Sequence, residues 1–247
     1  MSPTLKLDQH FLKDPEVLDK IISAADIKNN DLILEIGAGK GVLTAELAKK
    51  AGKIIAVELD AELKPFLDQL PSNVEVRYGN ALELINSVKF NKIVANIPYA
   101  ISEPLFRKLI KLDFELAVLL IGKNFYDLLV KDSMWAIIAH VFFEISKVTD
   151  VPRVAFRPRP RTDSVVIKVE KRKSELSTKE QIIKEFVLQD DKKVFNALAE
   201  SFVRIQKLTQ KQAKAKVFEL SLPEELLDKK VAYLSEWQFM AISNKII

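Results

Sequence analysis

The chain has 247 residues, a net charge of +4, a pI near 9.0 and 48% apolar residues, enough for one large domain or a medium one with a smaller companion. It has no cysteine and only two histidines, His10 and His140, so disulfides and thiolate zinc sites are excluded and a histidine-rich metal site is not expected. No apolar run reaches the roughly 18 residues of a membrane helix, and "MSPTLKLDQHFL" lacks the apolar h-region of a secretory signal, so the expected location is the cytoplasm and no metal is expected.

Short apolar runs then alternate with amphipathic ones. "LILEI" (32–36), "IIAVEL" (54–59), "VEVRY" (74–78), "KIVANI" (92–97) and "LAVLLI" (116–121) read as strands. Several are apolar at nearly every position, as parallel strands covered on both faces are. "GVLTAELAKKAG", "DAELKPFLDQL" and "SEPLFRKLIKL" read as the helices between them, with Ser102 as N-cap of the last and Pro104 in its first turn. "DLLVKDSMWAIIAHVFFEI" suits helix, strand or both in succession, and "SVVIKVE" (164–170) is a strand. This rhythm predicts a doubly wound α/β domain over residues 1–170. From Lys171 the period turns helical, in "TKEQIIKEFVLQ", "KKVFNALAESFVRIQKL", "KQAKAKVFELS" and "EELLDKKVAYL", which predicts a small helical domain over 171–247. The charged stretch "EKRKSELSTKE" is the candidate linker.

The first strand runs into "LEIGAGKGVLT", where Gly37, Gly39 and Gly41 follow the acidic Glu35. Glycines there let the backbone turn tightly and a ligand approach closely. The second strand ends at Glu58, where an acid in such folds accepts from both hydroxyls of a ribose. A nucleoside-containing cofactor is implied. The Gly-x-Gly-x-Gly spacing differs from the dinucleotide Gly-x-Gly-x-x-Gly and resembles the S-adenosylmethionine loop of class I methyltransferases, with a nicotinamide dinucleotide as the alternative. After the third strand, Asn80 in "GNAL" is positioned to meet an adenine edge.

"VANIPYAIS" follows the fourth strand, at the carboxyl edge where open α/β sheets bind ligands. An exocyclic base amine is a poor nucleophile because its lone pair is delocalised into the ring. The Asn96 side-chain oxygen and the Pro98 carbonyl can accept from its two N–H bonds and favour a more pyramidal nitrogen, while Tyr99 stacks on the base. Such stacking is worth roughly 1–3 kcal/mol. Basic residues gather in "PRVAFRPRPR" and "KVEKRK", which makes nucleic acid a reasonable partner.

In this order the motifs resemble the KsgA-type small-subunit rRNA adenine dimethyltransferases, down to "DQHFLKDPEVLDKII" at the N-terminus and "AFRPRPRTDSVVIKV" before the last strand. The resemblance covers nearly the whole chain, though the last 75 or so residues match mainly in character. It implies a class I S-adenosylmethionine-dependent Rossmann-like domain with a helical C-terminal domain, acting as a monomer on two adjacent adenosines near the 3′ end of small-subunit rRNA. It implies cofactor contacts from His10, Leu12, Gly37, Glu58, Asn80 and Asn96, and catalysis by Asn96 with Pro98 and Tyr99 beside it. Phe156 would stack on the target adenine opposite Tyr99, and Arg153, Arg157, Arg159 and Arg161 would face phosphates. The chain departs from the family in having Asn80 for Asp, His10 for Asn, and an altered "GKNFYDLLVKDSMWAIIAH" after the fifth strand. Two alternatives therefore stand beside this expectation: a large-subunit rRNA adenine methylase, and a diverged assembly factor that binds nucleic acid without catalysis.

Overall fold

The computed structural model describes residues 9–246. The first residues of the N-terminal segment, Asp8 of its motif included, lie outside them. The strands are β1 (Phe11–Leu12), β2 (Leu32–Ile36), β3 (Lys53–Glu58), β4 (Val74–Tyr78), β5 (Lys92–Asn96), β6 (Leu116–Gly122), β7 (Phe143–Val151), β8 (Phe156–Arg157) and β9 (Ser164–Lys171). The chain divides into two compact units. One comprises Met1–Asp127 and Glu144–Lys171, the other Leu128–Phe143 and Arg172–Ile247.

The first unit is built on a seven-stranded sheet in the order β4-β3-β2-β5-β6-β9-β7. β4, β3, β2, β5 and β6 run parallel, and β9 joins β6 antiparallel. Every residue of β6 is buried, as is all of β5 but Asn96, because helices cover both faces of a central parallel strand. This accounts for the uninterrupted apolar runs. The expected strand bounds hold to within a residue or so. Two strands carry no apolar run: β7 is exposed along most of its length, and the two-residue β1 pairs with β8, Leu12 opposite Phe156 and Phe11 opposite Arg157.

Helices α1 (Pro15–Ala24) and α2 (Val42–Ala48) flank the start of the sheet, and α3 (Lys64–Leu67) and α4 (Ala81–Leu84) are single turns. "DAELKPFLDQL" is thus a 3-10 turn and one α turn rather than a full helix. In α5 (Ser102–Lys111) the N-cap is Ile101. Ser102 is the first helical residue, with its hydroxyl buried and without a partner. The 3-10 turn Tyr99–Ile101 runs directly into α5, so no extended residue remains at Ser102 for a side-chain cap.

After α6 (Lys123–Val130), α7 (Met134–Phe142) belongs to the second unit, so neither unit is one contiguous stretch of chain. The reason is apolar: Met134, Trp135, Ile138 and Val141 are buried, and α7 packs against α8 (Thr178–Leu188) and the C-terminal helix. The unit continues with α9 (Val194–Gln206), α10 (Gln210–Glu219), α11 (Glu224–Leu227) and α12 (Glu236–Lys245). Capping boxes at Ser177/Glu180, Thr209/Gln212 and Ser235/Gln238 start three of them, each satisfying otherwise orphaned helix N–H groups.

Candidate active site

The carboxyl ends of β2, β3 and β5 border a cleft of about 250 Å³. Its lining holds His10, Leu12, Gly37, Glu58, Asn80, Asn96, Pro98 and Tyr99. Eight of the nine residues expected at the site are therefore brought together from five separate stretches of chain. Phe156 is not. It is 1% exposed in the apolar core, behind Leu12, so neither face of its ring is open to a base.

The glycine loop forms one wall. Gly37 and Gly39 have φ of 76° and 57°, a region that disfavours side chains. A Cβ on Gly37 would stand 3.4 Å from the Pro98 ring, and one on Gly39 would stand 3.1 Å from the Phe11 ring. The loop therefore packs backbone-to-ring against both "NIPY" and the N-terminal segment; its backbone conformation disfavours side chains at both glycines, and at Gly39 the space is tight as well.

Glu58 holds this wall in place. Its Oε2 accepts from Gly39 N at 2.7 Å, and its Oε1 from Leu59 N at 2.8 Å and Asp60 N at 2.9 Å. Oε2 keeps a lone pair for a ligand hydroxyl. Across the cleft, Asn80 caps α4: its Oδ1 accepts from Leu82 N and its Nδ2 donates to Glu83 Oε1, each at 3.0 Å. An aspartate at this position would set two carboxylates face to face, which gives the asparagine a local reason.

Asn96 ends β5. Its Nδ2 donates to the His10 carbonyl at 3.0 Å, which fixes the amide orientation and leaves Oδ1 as the acceptor. The Pro98 carbonyl already accepts from Ile101 N at 3.0 Å. The Ile97 carbonyl accepts no backbone hydrogen bond among the described residues, so it is the less committed acceptor beside Asn96. The His10 ring donates from Nδ1 to the Pro158 carbonyl at 2.9 Å and lies 5.8 Å from the Tyr99 ring. His10 thus ties the arginine-rich segment to the cleft.

Two further residues of the glycine motif line the cleft without having been assigned a role at the site from the sequence. Lys40 stands 5.2 Å from the Phe11 ring and 5.1 Å from that of Phe66; its place inside the glycine motif was the available signal. Glu35 is 1% exposed with Oε2 unpartnered, and burial, with the nearby Glu58 charge, pushes its carboxyl up to about 8. Such a group folds best protonated. Its contribution to stability is full below the unfolded value near 4.5 and is lost as pH rises through about 8. Glu35→Gln is expected to stabilise the ligand-free protein above pH 8 by on the order of a few kcal/mol and to flatten its stability between pH 5 and 8. Urea melts of both proteins across that range check this; parallel pH profiles would rule it out.

The family model for ribosomal RNA adenine dimethylase matches residues 4–236. The chain belongs to the ribosomal RNA adenine dimethylase family. A relative from Methanococcus maripaludis, named a probable ribosomal RNA small subunit methyltransferase A, is 39% identical over 73% of each chain. One of the same name from Methanococcoides burtonii is 35% identical over 97% of this chain and 92% of its own. Among solved structures, a dimethyladenosine transferase from Plasmodium falciparum superposes with a TM-score of 0.66 and 29% identity, covering 94% of this chain and 96% of that one. The fold is the Rossmann-like methyltransferase fold and the cofactor of this dimethylase-family enzyme is S-adenosylmethionine. The cleft suits that cofactor: the buried Glu35 oxygen has no partner of its own, a positively charged ligand beside it would favour its ionised form, and the side-chain-free loop admits close approach.

Proposed function

We propose that this chain transfers methyl groups from S-adenosylmethionine to N6 of two adjacent adenosines near the 3′ end of small-subunit rRNA, acting as a cytoplasmic monomer. The observation that carries this reading is the Asn96 amide, its Nδ2 committed to His10 and its oxygen left for an incoming amine. When bound, S-adenosylmethionine supplies an electrophilic methyl on a sulfonium. Glu58 Oε2, with its one remaining lone pair, would accept from a ribose hydroxyl, Asn80 would meet the cofactor adenine, Gly37 would line the methionine side, and His10 and Leu12 would contact the cofactor. The positive charge of the cofactor stabilises ionised Glu35.

Asn96 Oδ1 and the backbone carbonyl of Ile97, with Pro98 shaping the turn, accept the two N–H bonds of the target amine. The nitrogen lone pair then turns out of conjugation and toward the donor methyl. Tyr99 stacks on the target base, and Phe156 supports β1 from the core rather than stacking on it. No strong base is required, because the alkylated amine is acidic enough to release its proton to water. Positioning supplies much of the rate enhancement. The base reaches the cleft outside its helix, by flipping or in an open loop.

The exposed Arg153, Arg157, Arg159 and Arg161 meet the RNA backbone. Arg159→Ala and Arg161→Ala are each expected to weaken RNA binding and to lower the slope of log K against log salt by about 0.7–0.9 for each phosphate no longer neutralised. Cofactor affinity should not change. Filter binding across a potassium chloride series measures the slope, and an unaltered slope removes that arginine from the interface.

The names of both methanogen relatives support the small-subunit assignment. Its test is incubation with labelled S-adenosylmethionine and undermethylated small or large ribosomal subunits. Label in small-subunit rRNA alone is expected, and label in large-subunit rRNA would overturn the substrate assignment.

A further inference from the structure

Tyr99 opens the 3-10 turn that leaves β5. A tyrosine there has two rotatable side-chain angles and keeps one ring plane only if something holds it. Two residues outside the expected site do so. Gly122 ends β6 and Ser164 begins β9, and they are opposite each other in the antiparallel register. The Tyr99 hydroxyl and Ser164 Oγ are 2.5 Å apart, and Ser164 is 0% exposed. A Cβ on Gly122 would stand 3.3, 3.4 and 3.5 Å from ring atoms Cγ, Cδ1 and Cδ2 of Tyr99. The ring therefore lies over the bare backbone of Gly122 and is anchored at its far end by a buried hydroxyl. A backbone bond from Lys123 N to Asp163 O, at 2.9 Å, closes the ladder beneath it.

We propose that Ser164 and Gly122 are positioning residues for methyl transfer, fixing the Tyr99 ring as the plane on which the target adenine lies; this rests on the adenine-N6 reading above. The Ser164 bond fixes the direction of the ring's long axis, because swinging the ring about its first side-chain angle would break it, and the Gly122 backbone against one face limits rotation about that axis. A stacked base inherits that plane, and the plane sets where its N6 falls relative to Asn96. Misplacement of a reacting atom by about 1 Å costs on the order of a hundredfold in rate, so a modest tilt is felt in the chemistry. A side chain at 122 would press on the ring face and shift it by a few tenths of an ångström.

A double-mutant cycle tests this, using the full-length protein, unmethylated small subunits and S-adenosylmethionine. Ser164→Ala and Tyr99→Phe are each expected to lower kcat/KM about five- to tenfold, mainly in kcat, and the double variant no further than either alone. Cofactor dissociation constants should stay near those of the parent, and thermal midpoints should fall by no more than several degrees, the cost of one lost buried hydrogen bond, with the fold retained at the assay temperature, which separates positioning from loss of fold. Gly122→Ala should lower kcat in the same way. Multiplicative losses in the double variant, losses that track cofactor affinity, or losses explained by the fraction of unfolded protein at the assay temperature overturn the proposal while the adenine-N6 reading stands. Failure of the parent protein to methylate adenine N6 overturns that reading and the proposal with it.

Discussion

Asn96→Ala loses about 10²–10³-fold in kcat, the scale seen when one preorganised polar group is removed from a reacting centre, while the protein still folds and binds S-adenosylmethionine. Asn96 is half-buried at the end of β5, so truncation leaves a small water-accessible gap and not a core cavity. The His10 carbonyl loses its 3.0 Å donor, but water from the cleft can replace it. The target amine loses an oriented acceptor that water cannot reproduce, because its direction was set by the amide's bond to His10. The effect therefore falls on kcat far more than on stability. Single-turnover transfer beside a thermal melt distinguishes the two, and full activity in the variant would remove Asn96 from the chemistry.

Glu58→Ala is expected to weaken S-adenosylmethionine binding by about a hundredfold or more and to cost the ligand-free fold about 1–3 kcal/mol. The binding loss has two sources. One is the acceptor for a ribose hydroxyl. The other is the loop itself, because the backbone N–H groups of Gly39, Leu59 and Asp60 all donate to this one carboxylate. Glu58→Gln is a sharper probe. It keeps the size and one acceptor oxygen but points an NH₂ group at one or more of those N–H donors, so it should bind cofactor closer to Ala than to the parent. Titration calorimetry gives the dissociation constants, and an unchanged value in either variant would take Glu58 out of the site.

Much of this architecture was legible because the signals were local. Buried parallel strands must be apolar on both faces, so β2, β5 and β6 announced themselves, and the glycine triplet and "NIPY" fell at strand ends by simple chain order. What escaped was set by pairing across long stretches of chain. The two-residue β1 meets β8 some 145 positions later, and no periodicity marks so short a strand. That pairing carries Phe156 into the core, which is why the expected aromatic partner for Tyr99 is absent from the cleft. The Tyr99–Ser164 bond and the Gly122 platform likewise depend on the β6–β9 register. The segment around α7 was ambiguous because its apolar face finds its partner in α8, more than thirty residues further on. Asn80 carried a polar-turn signal that fitted both a cap and a ligand contact, and its bond to Leu82 N establishes the cap.

The most direct measurement is the identity of the methylated nucleoside. Unmethylated small ribosomal subunits are treated with the protein and S-adenosylmethionine, and the digested rRNA is resolved by mass spectrometry, with the Asn96→Ala protein alongside. The expected result is N6,N6-dimethyladenosine at two adjacent positions in the 3′-terminal hairpin with the parent protein, and a near-complete loss of it with the variant. A methyl group on any other atom, or dimethyladenosine at undiminished yield from Asn96→Ala, would contradict the account of how this cleft works.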